Sequence, residues 1–523
     1  MMKSLLLALC LLFVMYGQTQ NTLVSEGLVF DGEPYLAVNP SNSQHIVVAW
    51  MAFEPFSSIA IRTRVSMNGG VSWSLGINTP HFSTGFTSAD PSLHFDSEGN
   101  VYLVYIDSNS EDLGAVYCRK SEDGGYTWSN VAEVISILDD PTQKPIDRPW
   151  VAIDNSGGEY DGNIYVTTMN PRSAGYIPPP YNPYLTKSVD GGQTFEDWQH
   201  VDGEDWFAGS LILQPMPTPD VSADGTLHVV YPSYVFSQNI YPQYVHAYST
   251  DGGSTFSYQT LFDGTANPID SLAKKGYLLR CNPSLPDHLA FFYPFAPNGD
   301  GDIMMRETFN GGFDWTEEMR VNDDPIGNGN LQDLVWADFD EDGDLVVTWR
   351  DRRSAADTGY QVSSEIWGAV RMNGELTFSP NFPISNVAAV HEQVLNGSGN
   401  DFMCVEMVDD TINVVWGDVR TGFLKIWFQR LTLNGEFVSL HELNSEWELE
   451  YILFPNPCLD RLNIVGRTPD IMRIYDSLGS LKAQYTGANM DETSINVSTL
   501  ATGKYLLECV NGSSSQTLEF IKK

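Results

Sequence analysis

The sequence is poor in positive charge. Its 523 residues include 28 lysines and arginines against 67 aspartates and glutamates, which gives a formal net charge of −39. Such an acidic chain is soluble and is repelled by phosphate backbones and by anionic membrane surfaces. The composition therefore predicts no nucleic-acid partner, and it leaves carboxylates available for binding a cation such as calcium.

Cysteine is also scarce. Five cysteines follow residue 20, and their odd number and wide spacing do not indicate a disulfide framework. We expect single buried thiols, with the last two of the five as the alternative disulfide pair. The five are Cys118, Cys281, Cys404, Cys458 and Cys509.

Long apolar runs are absent after the first residues. The run Leu5–Met15 follows Lys3 and precedes the small and polar residues 17–20. It is too short to cross a bilayer, which takes about 20 apolar residues in a helix. A basic start, a short apolar stretch and a small-residue end are typical of a secretory signal peptide. We therefore predict a signal peptide over residues 1–20 and no transmembrane segment.

One short motif occurs five times, with the pattern Ser/Thr-x-Asp/Asn-Gly-Gly-x-(Ser/Thr/Asp)-aromatic. The copies follow one another at intervals of similar length along the chain. Regular recurrence on this scale indicates a repeat architecture. The copies occupy residues 66–73, 121–128, 188–195, 249–256 and 308–315.

The motif predicts a tight turn between strands. The Asp or Asn side chain can accept hydrogen bonds from backbone N–H groups further along the turn, and the glycines allow positive φ without strain. The aromatic residue is expected to fill the gap between neighbouring sheets. The predicted structural residues are Ser66, Asn68, Gly70, Trp73, Ser121, Asp123, Gly125, Trp128, Ser188, Asp190, Gly192, Phe195, Ser249, Asp251, Gly253, Phe256, Thr308, Asn310, Gly312 and Trp315.

This motif resembles the Asp-box, or bacterial neuraminidase repeat, of the sialidase superfamily. The resemblance implies a β-propeller in which each box joins the third and fourth strands of a blade, on the face opposite the active site. The boxes therefore predict the fold and are not catalytic. One scaffold of this kind hosts many functions.

The repeat unit contains short strands that alternate with turns, so the chain is predicted to be all-β. Two further units lack a good box but keep the strands, and their turns at Asn373-Gly374 and Asn434-Gly435 continue the same period. The count predicts a seven-bladed propeller over residues 25–445. Six blades, as in sialidases, is the alternative.

The predicted site lies opposite the boxes, where second strands end and first strands begin. The resemblance implies three arginines that clamp a substrate carboxylate, a Tyr–Glu nucleophile and an Asp acid/base. This chain has Glu33-Pro-Tyr where the family has Arg-Ile-Pro, so the leading arginine is missing. The candidates are Asp351, Arg352, Asp418, Arg420, Arg148 and Tyr234, with Arg353, Asp107 and Tyr293 beside them.

Three interpretations of this face stay open. The first is a propeller that binds glycan or protein at the channel mouth, and the second is an exo-acting glycoside hydrolase of the sialidase type. A polysaccharide lyase or endo-glucanase is the third. The pattern Trp-x-Asp-x-Arg ends the second strand in two units, at Trp349 and Trp416. Such recurrence favours a structural role in which Asp–Arg pairs brace the loops.

An acidic stretch between two predicted strands of the sixth unit carries alternating aspartates before a glycine. Hard oxygen ligands in this pattern resemble the start of a calcium loop, and an ordinary acidic hairpin is the other interpretation. No Glu follows at the position where a calcium loop of that type has one. The predicted ligands of a structural calcium ion are Asp338, Asp340, Asp342 and Asp344.

The last part of the chain, residues 451–523, predicts a small β-sandwich. Its motifs are Phe454-Pro-Asn-Pro457, Ile474-Tyr-Asp476 before Gly479, Leu500-x-x-Gly-x-Tyr505 and the terminal lysine pair. Together they resemble the C-terminal sorting domain of the type IX (Por) secretion system. The resemblance implies recognition by that machinery and export across the outer membrane. It also implies later removal of the domain and, often, attachment to the cell surface.

Overall fold

The computed structural model describes residues 21–523 apart from 28–29, 54–57, 110–112, 141–143, 171–182, 210–215, 236, 239–240, 264–275, 298, 391–399, 439–451, 466–468, 470, 477–479, 487–493 and 512–513. The predicted signal peptide therefore lies outside the described residues. The chain divides into two compact units, Met1–Val438 and Ser439–Lys523. Within the described ranges no residue is helical, and accordingly none forms a helix long and apolar enough to cross a membrane.

The first unit contains seven four-stranded antiparallel sheets, which are the blades of a propeller. Each of blades 1 to 6 takes four consecutive strands. In chain order the strands are β1 (Thr22–Leu23); blade 1, β2 (Asp31–Asn39), β3 (Asn42–Phe53), β4 (Ile59–Ser66), β5 (Ile77–Asn78); blade 2, β6 (Thr87–Phe95), β7 (Val101–Ser108), β8 (Gly114–Ser121), β9 (Ala132–Ser136); blade 3, β10 (Asp147–Ile153), β11 (Ile164–Met169), β12 (Tyr184–Ser188), β13 (Gln199–His200); blade 4, β14 (Thr218–Val221), β15 (Leu227–Ser233), β16 (Gln243–Ser249), β17 (Ser257–Asp263); blade 5, β18 (Leu278–Cys281), β19 (Leu289–Phe295), β20 (Asp302–Thr308), β21 (Met319–Arg320); blade 6, β22 (Gln332–Phe339), β23 (Leu345–Asp351), β24 (Glu365–Arg371), β25 (Phe382–Pro383); and blade 7, β26 (Cys404–Val408), β27 (Thr411–Asp418), β28 (Lys425–Thr432).

Blade 7 is completed by the beginning of the chain. Its fourth strand is β1, which pairs antiparallel with β28 through Thr22 opposite Phe428 and Leu23 opposite Trp427. A ring closed in this way leaves no long sheet edge free. The prediction of seven blades is confirmed, and the alternative of six is not adopted by the chain.

The second strand of each blade is buried on both faces, because neighbouring blades cover it. The run Ile46–Trp50 illustrates this, since each of its residues is 0 % exposed. β-Branched and aromatic residues suit such doubly covered strands. The fourth strands are mostly short, and they lie at the outer rim of the ring.

Four of the first strands begin with the same β-bulge. Glu33, Asp90, Arg148 and Leu334 have φ values of 51°, 50°, 50° and 57°, and the register with the second strand shifts at each of them. In the first three blades the next residue is a proline, which has no N–H to pair and is tolerated at bulges. The bulge therefore sets the register between each of these first strands and the second strand of its blade.

The five boxes share one set of hydrogen bonds. The first Ser or Thr hydroxyl donates to the Asp or Asn carboxyl or amide oxygen and accepts the N–H of the second glycine, at 2.7–3.0 Å. The same Asp or Asn oxygen accepts the backbone N–H of the later Ser, Thr or Asp of the box, at 2.8–3.0 Å. The turn therefore satisfies its own backbone donors.

Each box also packs on the neighbouring blade. The indole N–H of Trp128 donates to Thr63 at 3.1 Å, and Trp73 meets Phe428 edge-on. A side chain on Gly125 would lie 2.9 Å from Val47, so this glycine is needed for close approach as well as for its positive φ.

Boxes and first-to-second-strand hairpins lie at one end of the ring. The Gly69 N–H donates to the carbonyl of Gln44 at 2.9 Å, and a ring nitrogen of His45 lies 2.8 Å from the carbonyl oxygen of Gly124. We call this the box end and the opposite one the loop end.

The second unit has two antiparallel sheets around one core. Their order is β29-β30-β33 and β32-β31-β34-β35, and buried residues such as Leu462, Ile474 and Leu507 fill the core. All five cysteines of the described chain are free and buried. The strands are β29 (Ile452–Phe454), β30 (Arg461–Val465), β31 (Ile471–Asp476), β32 (Leu481–Thr486), β33 (Ser494–Asn496), β34 (Gly503–Asn511) and β35 (Ser514–Lys522).

Candidate functional site

The Trp-x-Asp-x-Arg segment of blade 6 is a closed hydrogen-bonded unit. Asp351 is fully buried and accepts the indole N–H of Trp349 at 2.7 Å. It also accepts the backbone N–H of Arg353 at 2.7 Å and its Nε at 2.9 Å. The Arg353 guanidinium reaches on to Asp323 at 2.6 Å. The carboxylate therefore braces the loop that follows β23.

Blade 7 repeats this unit. Asp418 accepts the indole N–H of Trp416 at 2.9 Å and two guanidinium nitrogens of Arg420 at 2.6–3.0 Å. Arg420 also donates to Asn21 at 2.9 Å and to Asn386 at 2.7 Å. Because Asn21 leads directly into β1, this arginine helps to hold the closing strand in place.

Arg352 belongs to a separate buried cluster around Asp333. The two oxygens of Asp333 accept bonds from Arg350 at 2.6 and 2.8 Å and from Arg352 at 3.1 and 3.3 Å. Burial alone would raise the pKa of Asp333, but the two arginines outweigh it and lower that pKa to about 2. Arg352 is 2 % exposed and also lies over the ring of Tyr360. Both guanidinium groups are thus already matched to a carboxylate of the chain.

Arg148 stands on the β-bulge of blade 3 and bonds across the ring. Its guanidinium lies 2.7 Å from Asp401 of the segment leading into blade 7, and its backbone N–H donates to Asp90 at 3.2 Å. Desolvation of the half-buried Asp147 and the negative charge of the nearby Asp90 raise the pKa of Asp147 to about 7. This residue was not among the sequence-based candidates.

The two tyrosine candidates lie in blades 4 and 5. The backbone N–H of Tyr234 donates to Ala208 at 2.9 Å. The hydroxyl of Tyr293 donates to Glu318 at 3.2 Å and accepts from Arg306 at 3.2 Å. Burial raises the pKa of Tyr293, which is the opposite of the change that activates a nucleophile.

One cavity formed by the described residues is in the central channel, at the box end. It has a volume of about 410 Å³ and is lined by the later residues of the first strands and by their hairpins. Its floor is an aromatic layer in which Trp150 lies 5.3 Å from Trp336 and 4.9 Å from Phe402, while Tyr35 lies 5.5 Å from Trp336. These rings are buried and fill the channel there. None of the six catalytic candidates lines this cavity.

Charged groups from blades 4 to 7 line this cavity. The first strands contribute Asp220, Arg280, Asp338 and Glu406, one each, and the hairpin of blade 6 adds Asp340 and Glu341. Arg280 Nε lies 4.0 Å from a carboxylate oxygen of Asp338, and the guanidinium lies over the ring of Trp336. The sequence-based candidates for catalysis missed the four first-strand residues because each belongs to a different repeat unit, and no local motif joins them.

Each of the three first-strand carboxylates links its blade to the next one. Asp220 accepts the N–H of Cys281 at 2.8 Å, Asp338 that of Met407 at 2.9 Å, and Glu406 that of Val38 at 2.6 Å. A carboxylate that satisfies a backbone donor of the neighbouring blade stabilises the ring. These acids therefore have a structural role whether or not they touch a ligand.

Burial reduces the charge of this cavity. It raises the pKa of Asp338 to about 7 in spite of the nearby Arg280. It also raises the pKa of Glu406 well above its ordinary value, with Asp338 as the second cause. Near neutral pH the acids are partly protonated, so they offer hydrogen-bond donors as well as acceptors.

The predicted calcium residues do not all come together. Asp340, Asp342 and Asp344 lie with Asp410, with one ligand oxygen from each within 4.8 Å of the others. Asp338 is not part of this group; its carboxylate accepts the backbone N–H of Met407 and lies near Arg280. Three of the four predicted ligands therefore lie in one acidic group with Asp410, and Asp338 lies outside it.

Residues 452–523 match the family described as the secretion system C-terminal sorting domain. No curated protein matches the chain.

Among solved structures, the Hadza microbial sialidase Hz136 is 15 % identical over 74 % of this chain and 76 % of its own, with a TM-score of 0.41. The NanB sialidase of Streptococcus pneumoniae is 13 % identical over 80 % and 70 %, with a TM-score of 0.39. The phage phi92 endosialidase is 11 % identical over 95 % and 87 %, with a TM-score of 0.46. Likenesses of this strength do not define a substrate or a reaction.

The sorting domain identifies the route by which the protein leaves the cell. Proteins that carry it are exported by type IX secretion and are found outside the cell or on its surface. The chain thus contains a seven-bladed β-propeller and, over residues 452–523, a secretion system C-terminal sorting domain.

Proposed function

We propose that the exported propeller is a glycan-binding module whose ligand occupies the channel cavity at the box end. The proposal rests on one observation, a pair of hydrogen-bond donors that have no acceptor among the described residues. The indole N–H groups of Trp150 and Trp336 are buried and meet no acceptor among the described residues, and both side chains line the cavity. Buried donors are normally satisfied, so a ligand with acceptor oxygens suits this position.

The chemistry of the cavity supports a neutral sugar as that ligand. Apolar aromatic surface beside a few polar groups is typical of small-molecule sites. Burial lowers the charge on Asp338 and Glu406 at neutral pH, and Arg280 balances part of the remainder. A ligand rich in hydroxyl groups can accept from the indoles and donate to the acids.

The arginines give no comparable support to sialoside hydrolysis. Arg148, Arg352, Arg353 and Arg420 are each bonded to a carboxylate of the same chain. Arginines that clamp a substrate carboxylate must present their fork to the ligand. The pairing of these side chains, together with the absence of an Arg-Ile-Pro motif in the sequence, favours binding without that reaction.

A glycan microarray with the full exported protein tests this proposal, followed by titration of the best neutral ligand. Trp336→Phe keeps an aromatic ring but removes the N–H, and we expect at least a tenfold loss of affinity. Trp73→Phe is the matched control, because Trp73 carries a buried indole N–H without an acceptor among the described residues but lies in a box. Unchanged affinity in Trp336→Phe, or no glycan bound by folded protein, would contradict the proposal.

A second candidate is an exo-acting glycosidase of the sialidase type. It is favoured by one observation, the hydrogen bond between Tyr293 and Glu318 with Arg306 beside it. Turnover of a fluorogenic sialoside by the exported protein, lost in Tyr293→Phe, would establish this function. If no turnover is measured at high protein concentration, glycan binding without hydrolysis remains the proposed function.

A further inference from the structure

Two hairpins of the propeller have the same backbone but different side chains. Residues 96–100 join β6 to β7 in blade 2, and residues 340–344 join β22 to β23 in blade 6. In both, the first residue donates its N–H to the carbonyl of the fifth, at 2.9 and 3.1 Å, and the fourth-position glycine donates to the carbonyl of the first, at 3.1 Å. Both hairpins begin with an aspartate, so their differences can be compared position by position.

In blade 2 the hairpin satisfies its own aspartate. Asp96 Oδ2 accepts the amide of Asn100 at 2.8 Å and the hydroxyl of Tyr102 at 3.2 Å. In blade 6 these two positions are Asp344 and Val346, which cannot donate. Oδ2 of Asp340 accordingly meets no donor among the described residues, although Asp340 is only 2 % exposed.

Other carboxylates lie close to Asp340. Asp342 and Asp344 come from the same hairpin, and Asp410 comes from the hairpin of blade 7. Asp409 and Asp410 form a tight turn with φ values of 51° and 55°, which brings Asp410 towards blade 6. Among the described residues no lysine or arginine forms an ion pair with any of the four acids.

Neighbouring amides hold the group in place. Asp344 Oδ1 accepts the backbone N–H of Asn373 at 2.6 Å, and Asp340 Oδ1 accepts the N–H of Asp344 at 2.9 Å. One oxygen of each of these aspartates is therefore fixed by the backbone. The four carboxylates lie close together, and their mutual repulsion is unfavourable without a positive charge.

We propose that Asp340, Asp342, Asp344 and Asp410 bind one calcium ion that joins the hairpins of blades 6 and 7. Carboxylate oxygens at about 2.3–2.6 Å are the ligands that calcium takes. Oxygens bound to one ion at that radius lie no more than about 5 Å apart, which fits the 4.8 Å spread of these four. The ion takes the place of the donors that Asn100 and Tyr102 supply in blade 2.

Calorimetric titration of calcium into the full exported protein, freed of metal with a chelator, tests this proposal. We expect one calcium per chain in the wild type and at least a tenfold loss of affinity in Asp410→Asn. Asp344→Asn restores the amide found in blade 2, so this variant is expected to lose calcium binding while its thermal midpoint without calcium exceeds that of the wild type. Glu98→Gln, at the blade 2 position equivalent to Asp342, is expected to change neither property.

Several results would overturn the proposal. Folded wild-type protein that binds no calcium at millimolar concentration has no such site. Calcium bound equally well by wild type, Asp344→Asn and Asp410→Asn lies elsewhere. Magnesium bound as tightly as calcium would contradict the assignment of the ion.

Discussion

Asp333 shows how a buried charge can serve architecture instead of catalysis. It is fully buried at the start of β22 and accepts four hydrogen bonds from Arg350 and Arg352. Arg350 also donates to the hydroxyl of Tyr360, and Arg352 donates to the backbone carbonyl of the same residue. A cluster with this geometry fixes the loop end of blade 6, and its members are satisfied without a ligand.

Replacement of Asp333 by asparagine is therefore expected to be strongly destabilising. It leaves two buried guanidinium groups without a counter-charge, which costs roughly 3–5 kcal/mol. The free energy of unfolding in urea measures the effect. Asp357→Asn changes an exposed acid in the same blade and should stay close to the wild type, and equal stability of both variants would refute the role of Asp333.

Asp333 also predicts a pH dependence. Its folded pKa of about 2 lies below the value of about 4 for an unfolded aspartate, so the folded state binds fewer protons. The stabilisation is present above about pH 4 and is lost as the pH falls towards 2. Unfolding free energies measured across that window should fall more steeply for the wild type than for Asp333→Asn. Parallel curves would contradict the assignment.

At the scale of the element, the box is the unit that the sequence predicts best. All the groups that close it lie within one short segment, so local pattern is sufficient. The box of blade 2 shows the dependence on one hydroxyl, because Ser121 bonds both Asp123 and the N–H of Gly125.

Ser121→Ala removes that hydroxyl. The buried N–H of Gly125 then lacks an acceptor, and we expect a loss of roughly 1–3 kcal/mol. Glu122→Gln, at an exposed position of the same box, is the control and should be neutral. Chemical denaturation of both variants measures the difference, and a neutral Ser121→Ala would show that the hydroxyl does not stabilise the turn.

The channel residues and Asp410 could not be predicted in the same way. Asp220, Arg280, Asp338 and Glu406 each interrupt an apolar first strand, and this is the signal available in the sequence. What the sequence does not show is that they converge, because that depends on ring closure. Asp410 belongs to the next repeat unit and meets the acidic hairpin of blade 6 only through the packing of blade 7 on blade 6.

Residue type and strand position predict the loop-end candidates. The strand ends are where the periodicity places them, and the side chains are of the expected types. Their partners decide what they do, since Asp351 bonds Trp349 and Arg353, while Arg148 bonds Asp401. Pairing of this kind depends on side-chain direction and is not encoded in spacing.

At the scale of the whole molecule, the two units have separate cores, and the sorting function belongs to the second. A chain that lacks residues 439–523 is expected to fold as a propeller and to remain inside the cell. Cell fractionation and circular dichroism of the retained protein measure the two effects. Export of the shortened chain would show that the propeller itself carries a signal for the type IX system.

Closure of the ring gives the last prediction. Removal of residues 21–25 takes away β1 and the bonds of Asn21 to Ile384 and Gln429. The exposed edge of β28 is expected to lower the thermal midpoint and to promote aggregation. A synthetic peptide of residues 21–27 should restore the midpoint, whereas a scrambled peptide should not. An unchanged midpoint after removal would show that β1 does not close the ring.

The pairing of β1 with β28 also affects the order in which the propeller can fold. The two partners are the first and the last strands of the propeller, so nearly the whole ring is synthesised between them. Blades 1 to 6 can form as they emerge, but the final hydrogen bonds must wait until Phe428 is made. Long-range pairings of this kind slow folding, and the waiting intermediate exposes a sheet edge. The strand β1 therefore stays without its partner until blade 7 has formed.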